Sequence, residues 1–187
     1  GGCGLMHIVI DTAEKILTAD GRRLDLYSKE AFELISDLWL KTSWNQKYSY
    51  TFTWLGRPII QHPEDLVRLQ EAIVTLRPDV IIETGVAHGG GLIFYAGLCR
   101  LLGRGKVVGV DVEIRPHNRA AIEAHALSDL ITLIEGSSTA PGQPRAQLGR
   151  PRPLAIPCRV AGRAEWPLSR ADRATANRQG HIPRTLP

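Results

Sequence analysis

The sequence is poor in the residues that would staple or anchor it. Three cysteines (Cys3, Cys99, Cys158) in 187 residues are odd in number and widely scattered. That excludes a disulfide framework and a cysteine-based metal site, and fits a reducing compartment. No apolar run approaches the roughly 20 residues of a membrane-spanning helix. No basic segment leads into an apolar run and a cleavage site, which predicts no secretory leader and a cytoplasmic location. There is no P-loop lysine motif, no internal repeat and no Ser-His-Asp arrangement, and His62 and His125 have no metal-ligand spacing. What is present, 43% hydrophobic and 22% charged residues, suffices for one domain with a real core.

Charge divides the chain into two unlike pieces. Residues 1–139 hold 14 Lys+Arg against 17 Asp+Glu, whereas residues 140–187 hold nine arginines, no lysine and only Glu165 and Asp172 as acids. Eight of the 12 prolines also lie after 139. Their density leaves no window for a normal helix, and no window alternates apolar and polar residues for long. An Arg/Pro/Ala-rich disordered tail is therefore expected over 140–187. Three origins compete for it: a basic arm for nucleic acid or anionic lipid, a natural flexible tail, or an out-of-frame translation of GC-rich coding sequence. Arginines spaced singly among prolines speak against the arm, and the joint rise of Ala, Arg, Pro and Gly favours the broken frame.

The first 65 residues read as a helix/strand extension. His7–Ile10 is a short strand, Thr18–Arg22 a turn, and Ser28 the N-cap of a helix with Phe32, Ile35, Leu38 and Trp39 on one face. Tyr48, Tyr50, Phe52 and Trp54 alternate with Ser and Thr as in a half-buried strand or packed loop, and Gly56-Arg57-Pro58 is a turn. His62-Pro63-Glu64-Asp65 opens a helix through about Leu76, with Leu66, Leu69, Ile73 and Leu76 as its stripe. Asp79–Glu83 is then a buried strand, Gly89–Leu102 a helix, Val107–Val110 a strand ending at Asp111, Asn118–Ala126 a helix and Ile131–Ile134 a third strand. This alternation predicts an α/β fold with a parallel, doubly wound sheet of about three strands over 66–139.

The segment Glu83-Thr84-Gly85-Val86-Ala87-His88-Gly89-Gly90 carries the chemistry. A buried strand enters a glycine-rich turn that opens a helix, whose first N–H groups are free to receive a polar or anionic ligand group. Gly85 permits the sharp turn, and Gly89 and Gly90 allow close approach of a ligand. Asp111 ends the next strand, where an acid accepts hydrogen bonds from ribose hydroxyls. An NAD site needs G-x-G-x-x-G, whereas here the glycines are four apart and an acid precedes them by two residues. That carboxylate would repel a pyrophosphate and suits the ammonium end of S-adenosylmethionine. A plain βα turn, with glycines for packing and Asp111 as a cap, is the alternative. Around this site, His88 and His117 could touch ligand or stand in solvent. Tyr48, Tyr50 and Trp54 could line an acceptor pocket or belong to the core, and Arg57 could meet a substrate anion or be an exposed turn residue.

Three stretches, Tyr48 to Pro58, Ile82 to Gly90 and Gly109 to Arg119, together resemble the cephalosporin hydroxylase / rhamnosyl O-methyltransferase family over about residues 6–139. The resemblance implies a Rossmann-like S-adenosylmethionine-dependent O-methyltransferase acting on a hydroxyl of a sugar, glycolipid or antibiotic-like small molecule. It places Glu83, Gly85 and Gly89 at the methionine end of the cofactor, Asp111 at the ribose, and Ser137 and Ser138 beside the adenine; Thr84 and Gly90 of the same motif complete the cofactor-binding candidates. From their residue types, Tyr48, Trp54 and His117 are the candidates on the acceptor side. In intact relatives a divalent metal, Mg, is held by carboxylates of a later half whose pattern is missing after Thr139, so no metal ligands and no catalytic residue are assigned. The expectation is a truncated form with little or no catalysis, self-association left open for the intact form. The rivals are a non-catalytic nucleotide-binding fragment, a basic-tailed binding protein and, more weakly, an NAD-linked oxidoreductase.

Overall fold

A computed structural model describes residues 6–137 and 153–157. Its N-terminal piece is an antiparallel meander, β1 (Ile8–Asp11), β2 (Ile16–Ala19) and β3 (Arg22–Asp25), in the order β1-β2-β3. Ala19 pairs with Arg22 across a two-residue turn, where Asp20 (φ 48°) and Gly21 (φ 81°) are both left-handed. Asp-Gly is the pair that favours such a turn, because its twist matches that of the strands. The turn expected over Thr18–Arg22 thus narrows to two residues, with strands on either side.

Helix α1 (Lys29–Asn45) starts at Ser28, whose Oγ accepts a hydrogen bond from Ala31 N at 3.2 Å. Ser28→Ala is expected to lower stability by about 1 kcal/mol, read as a shift of the denaturation midpoint with unchanged slope. The buried face of α1 differs from the expected one. Phe32 is 68% exposed and Leu38 and Trp39 are also exposed, whereas Ala31 is buried and Leu34 and Ile35 pack against Leu17 and Ala19 of β2. The position of the meander, which the helical period alone does not reveal, decides which side is covered.

The aromatic segment forms a 3₁₀ turn at Tyr48–Tyr50 and then a minimal hairpin, β4 (Thr53–Trp54) with β5 (Arg57–Pro58). Helix α2 (Pro63–Leu76) follows, burying Leu69 and Ile73 while Leu76 is exposed. His62, just before it, is buried, with Nε2 2.9 Å from Ser43 Oγ, and ties the start of α2 to α1.

The parallel sheet is built from β6 (Val80–Thr84), β7 (Lys106–Asp111) and β8 (Ile131–Glu135), linked through α3 (Gly90–Leu102) and α4 (Pro116–Glu123). Ile81, Val107 and Leu133 face a core shared with Leu69 and Ile73 of α2, Leu92, Phe94, Tyr95 and Ala96 of α3, and Ile122 of α4. Val80, Ile82, Val108, Val110 and Ile134 form a second cluster. This is the alternation of a sheet apolar on both faces. No helix among the described residues is long and apolar enough to cross a membrane.

A fourth strand, β9 (Pro153–Pro157), pairs parallel with β6 from Val80↔Pro153 to Thr84↔Pro157, giving the order β8-β7-β6-β9. A disordered tail is expected over 140–187, but at Pro153–Pro157 the chain forms a strand instead. Proline density is compatible with a strand here because β9 lies at the sheet edge with prolines at its ends, where a missing N–H is tolerated. The remainder of the expected tail, and Ser138, lie outside the described residues.

Candidate functional site

Glu83 sits one residue before the end of β6, on the same face as Ile81 and therefore under the helices rather than in solvent. It is buried, and its Oε2 has no hydrogen-bond partner. Desolvation pushes its carboxyl up to about 8. The carboxyl lies against the first turn of α3, so closely that a Cβ on Gly91 would stand 2.2 Å from Oε1.

The turn from Gly85 to Gly89 is held in an unusual shape. Gly85 (φ 89°) and Gly89 (φ 82°) are left-handed, and so is Ala87 (φ 46°). For an L-residue with a Cβ this costs roughly 1 kcal/mol, and it persists where surrounding groups fix it. Three side chains do so. Asp111 Oδ2, at the end of β7, accepts from Val86 N at 2.7 Å and Ala87 N at 3.4 Å. Asn118, buried in α4, donates from Nδ2 to Ala87 O at 2.9 Å. Arg57, in β5, donates from Nε and Nη2 to His88 O at 3.0 and 2.6 Å, and from Nη2 to Asn118 Oδ1 at 3.1 Å.

A shallow pocket lies between this turn and the Pro58–Gln61 strap, with Glu83 in its wall. Of the sequence-predicted residues, Glu83, Gly85, Gly89 and Gly90 line it, and Thr84 and Asp111 flank the same turn. The glycines serve packing as well as access. A Cβ on Gly89 would meet Ile122 Cδ1 at 2.4 Å, and one on Gly90 would meet Pro58 O at 2.2 Å. Ser137 is exposed just after β8, whose end is joined to that of β7 by the bond from Gly136 N to Asp111 O, 2.7 Å.

Tyr48, Trp54 and His117 do not line this pocket. Tyr48 packs edge-on against Trp39 and Phe52, Trp54 against Phe94 of the core at 5.0 Å, and His117 is exposed in the first turn of α4. Sequence reasoning offered Arg57 as a partner of a substrate anion or an exposed turn residue and Asn118 as a neighbour of His117 after the ribose acid, and missed the hold that both have on the turn. The only hint was their place in the two stretches that carry the resemblance, because neither a left-handed Ala87 nor the carbonyls it presents can be read from residue types.

An orphaned, buried carboxylate oxygen beside a helix start fits a ligand group that brings its own N–H donors, such as an ammonium. Asp111 spends Oδ2 on the turn, while Oδ1 has one long bond, 3.4 Å, from Glu113 N and retains acceptor capacity for hydroxyls. Among the described residues, no group of three or more His, Cys, Asp or Glu side chains could hold a metal ion.

The chain is similar to known proteins over part of its length. Solved structures of CmcI resemble the chain, one with SAH (23% identity, TM-score 0.43, covering 59% of this chain and 54% of that one). Another, with Mg and SAM, shows 21% identity and a TM-score of 0.46, over 60% of this chain and 48% of that one. A Rhamnosyl O-methyltransferase of Mycobacterium leprae (strain TN) is 33% identical over 92 residues, 49% of this chain. The chain spans 38% of the length of that relative. The family model for Rhamnosyl O-methyltransferase/CmcI matches residues 46–144, from the end of α1 through the glycine turn and the whole of β6, β7 and β8. That match leaves out the meander that the resemblance had included, but it takes in every side chain that shapes the turn, and by it the chain belongs to the Rhamnosyl O-methyltransferase/CmcI family.

Proposed function

We propose that the chain binds S-adenosylmethionine and carries the cofactor side of an O-methyltransferase. The observation that supports this most is Glu83, a buried carboxylate with an unpartnered oxygen at the wall of the glycine-turn pocket. Family membership points to methyl transfer, and the name of the M. leprae relative points to a sugar hydroxyl as acceptor. When bound, S-adenosylmethionine would supply an electrophilic methyl, which passes to an acceptor hydroxyl oxygen as its bond to sulfur breaks, leaving S-adenosylhomocysteine and releasing the hydroxyl proton.

In this reading Glu83 takes the ammonium of the methionine end, and the backbone of Gly85, Gly89 and Gly90 lies along it. Asp111 accepts from the ribose hydroxyls through Oδ1 while Oδ2 keeps its bonds to Val86 and Ala87. Ser137 and Ser138 border the adenine. The acceptor belongs to the class of sugar, glycolipid or antibiotic-like small molecules.

A second reading, binding without turnover, is favoured by the absence of a metal-capable cluster among the described residues. Labelled-methyl transfer to rhamnosyl acceptors with added Mg separates the two. Binding itself is tested by calorimetric titration of S-adenosylhomocysteine (SAH) into the 187-residue chain. Asp111→Asn retains an oxygen for the Val86 N–H but loses the charge, so affinity should fall by roughly 10- to 100-fold. Equal affinity of the native chain and Asp111→Asn would remove Asp111 from the site.

A further inference from the structure

We infer that Arg57 and Asn118 are positioning residues, which hold the Ala87–His88 stretch so that the glycine turn keeps its ligand-receiving shape. The inference rests on the reading that this turn receives the cofactor, and adds to it two groups whose bonds go to the carbonyls of the turn and to each other.

The geometry points this way because of what is being held. Ala87 O and His88 O are successive carbonyls of a turn that must offer donors, not acceptors, to the carboxylate end of an amino-acid ligand. Asn118 Nδ2 occupies the first at 2.9 Å and the Arg57 guanidinium occupies the second through two N–H groups. With both engaged, neither carbonyl dipole is free to turn against an anionic group. The same contacts pin Ala87 in the left-handed region that a residue with a Cβ leaves when nothing holds it. Arg57 and Asn118 are also bonded to each other, at 3.1 Å, so β5 and α4 act on the turn as one clamp. Arg57 thereby fixes the strap over the pocket to the turn below it. Bidentate donation by a guanidinium has no equivalent in a lysine ammonium.

The test uses Asn118→Ala, the milder Arg57→Lys, and Asn118→Ala combined with Ala87→Gly, each in the full chain. Backbone amide exchange is followed at Ala87 and Gly89, whose N–H groups bond to Asp111 Oδ2 and Val86 O. SAH titration is run in parallel. In both single variants, protection at Ala87 and Gly89 should drop about tenfold while the strand amides of Val107–Val110 keep theirs, and SAH affinity should weaken by about tenfold. Glycine adopts the left-handed conformation without penalty, so Ala87→Gly should restore much of the affinity lost in Asn118→Ala.

Unchanged exchange at the turn in both single variants would overturn the clamp. So would loss of protection spread evenly over the sheet, or failure of Ala87→Gly to restore affinity where the single variant had lowered it. Should the native chain take no SAH while turn exchange still responds selectively to Asn118→Ala and Arg57→Lys, the clamp stands and the cofactor reading falls.

Discussion

Glu83→Gln is expected to raise the melting temperature at pH 8 and to abolish SAH binding in the same protein. Both effects follow from one buried carboxyl. Desolvation lifts its folded-state value to about 8, against 4.5 for a glutamate in water. A raised carboxyl binds its proton more tightly in the folded state. Its contribution is therefore most favourable below about pH 4.5 and is lost as pH rises through 8, with a slope of about 1.4 kcal/mol per pH unit. The full swing is at most on the order of 5 kcal/mol. Glutamine has the same shape with no charge to desolvate, so this pH dependence should vanish in the variant. A ligand ammonium reverses the preference, since it favours the ionised form. SAH affinity of the native chain should accordingly rise from pH 6 to 8, with proton release visible as a buffer-dependent binding enthalpy. A pH-independent affinity, or a Glu83→Gln variant that binds as the native chain does, would take Glu83 out of the site.

The elements that sequence made legible are those whose signal is local. β6, β7 and β8 are short apolar runs between helices, and each lies within a residue or so of its expected place. Ser28 announces α1, and Pro63 and Pro116 stand in the first turns of α2 and α4, as proline's fixed φ allows. Glu83 was legible as an acid at a strand end before a glycine turn. Long-range features were not legible. The exposed side of α1 depends on where the meander docks, and β9 depends on a free edge of β6 that accepts five residues from a proline-rich stretch. The glycines illustrate the limit most directly. Residue type suggests room for a ligand, whereas the structure shows Gly89 under Ile122 and Gly90 under the Pro58 carbonyl.

Gly90 and Gly91 are neighbours in the first turn of α3, yet alanine at the two positions should fail in different ways. A Cβ at Gly90 would lie 2.2 Å from Pro58 O, 2.7 Å from Pro58 C and 2.8 Å from Ile59 Cα. All three are backbone atoms of the strap, so relief requires main-chain movement, which typically costs 1–3 kcal/mol. Alanine's helix propensity returns at most about 1 kcal/mol. Gly90→Ala should thus be destabilised by roughly 2 kcal/mol, seen as a lower denaturation midpoint. A Cβ at Gly91 meets instead the Glu83 carboxyl, with Oε1 at 2.2 Å and Oε2 at 3.0 Å, the far end of a side chain that can rotate away. The propensity gain offsets much of that adjustment, so Gly91→Ala should fold with stability close to native. The carboxyl, however, is displaced from the place where a ligand ammonium would find it, and SAH affinity should fall by tenfold or more. Chemical denaturation and SAH titration of the two variants therefore separate what the glycine run does for packing from what it does for the ligand. A Gly91→Ala protein with native affinity would show that the Glu83 carboxyl, however buried and unpartnered, does not receive the cofactor.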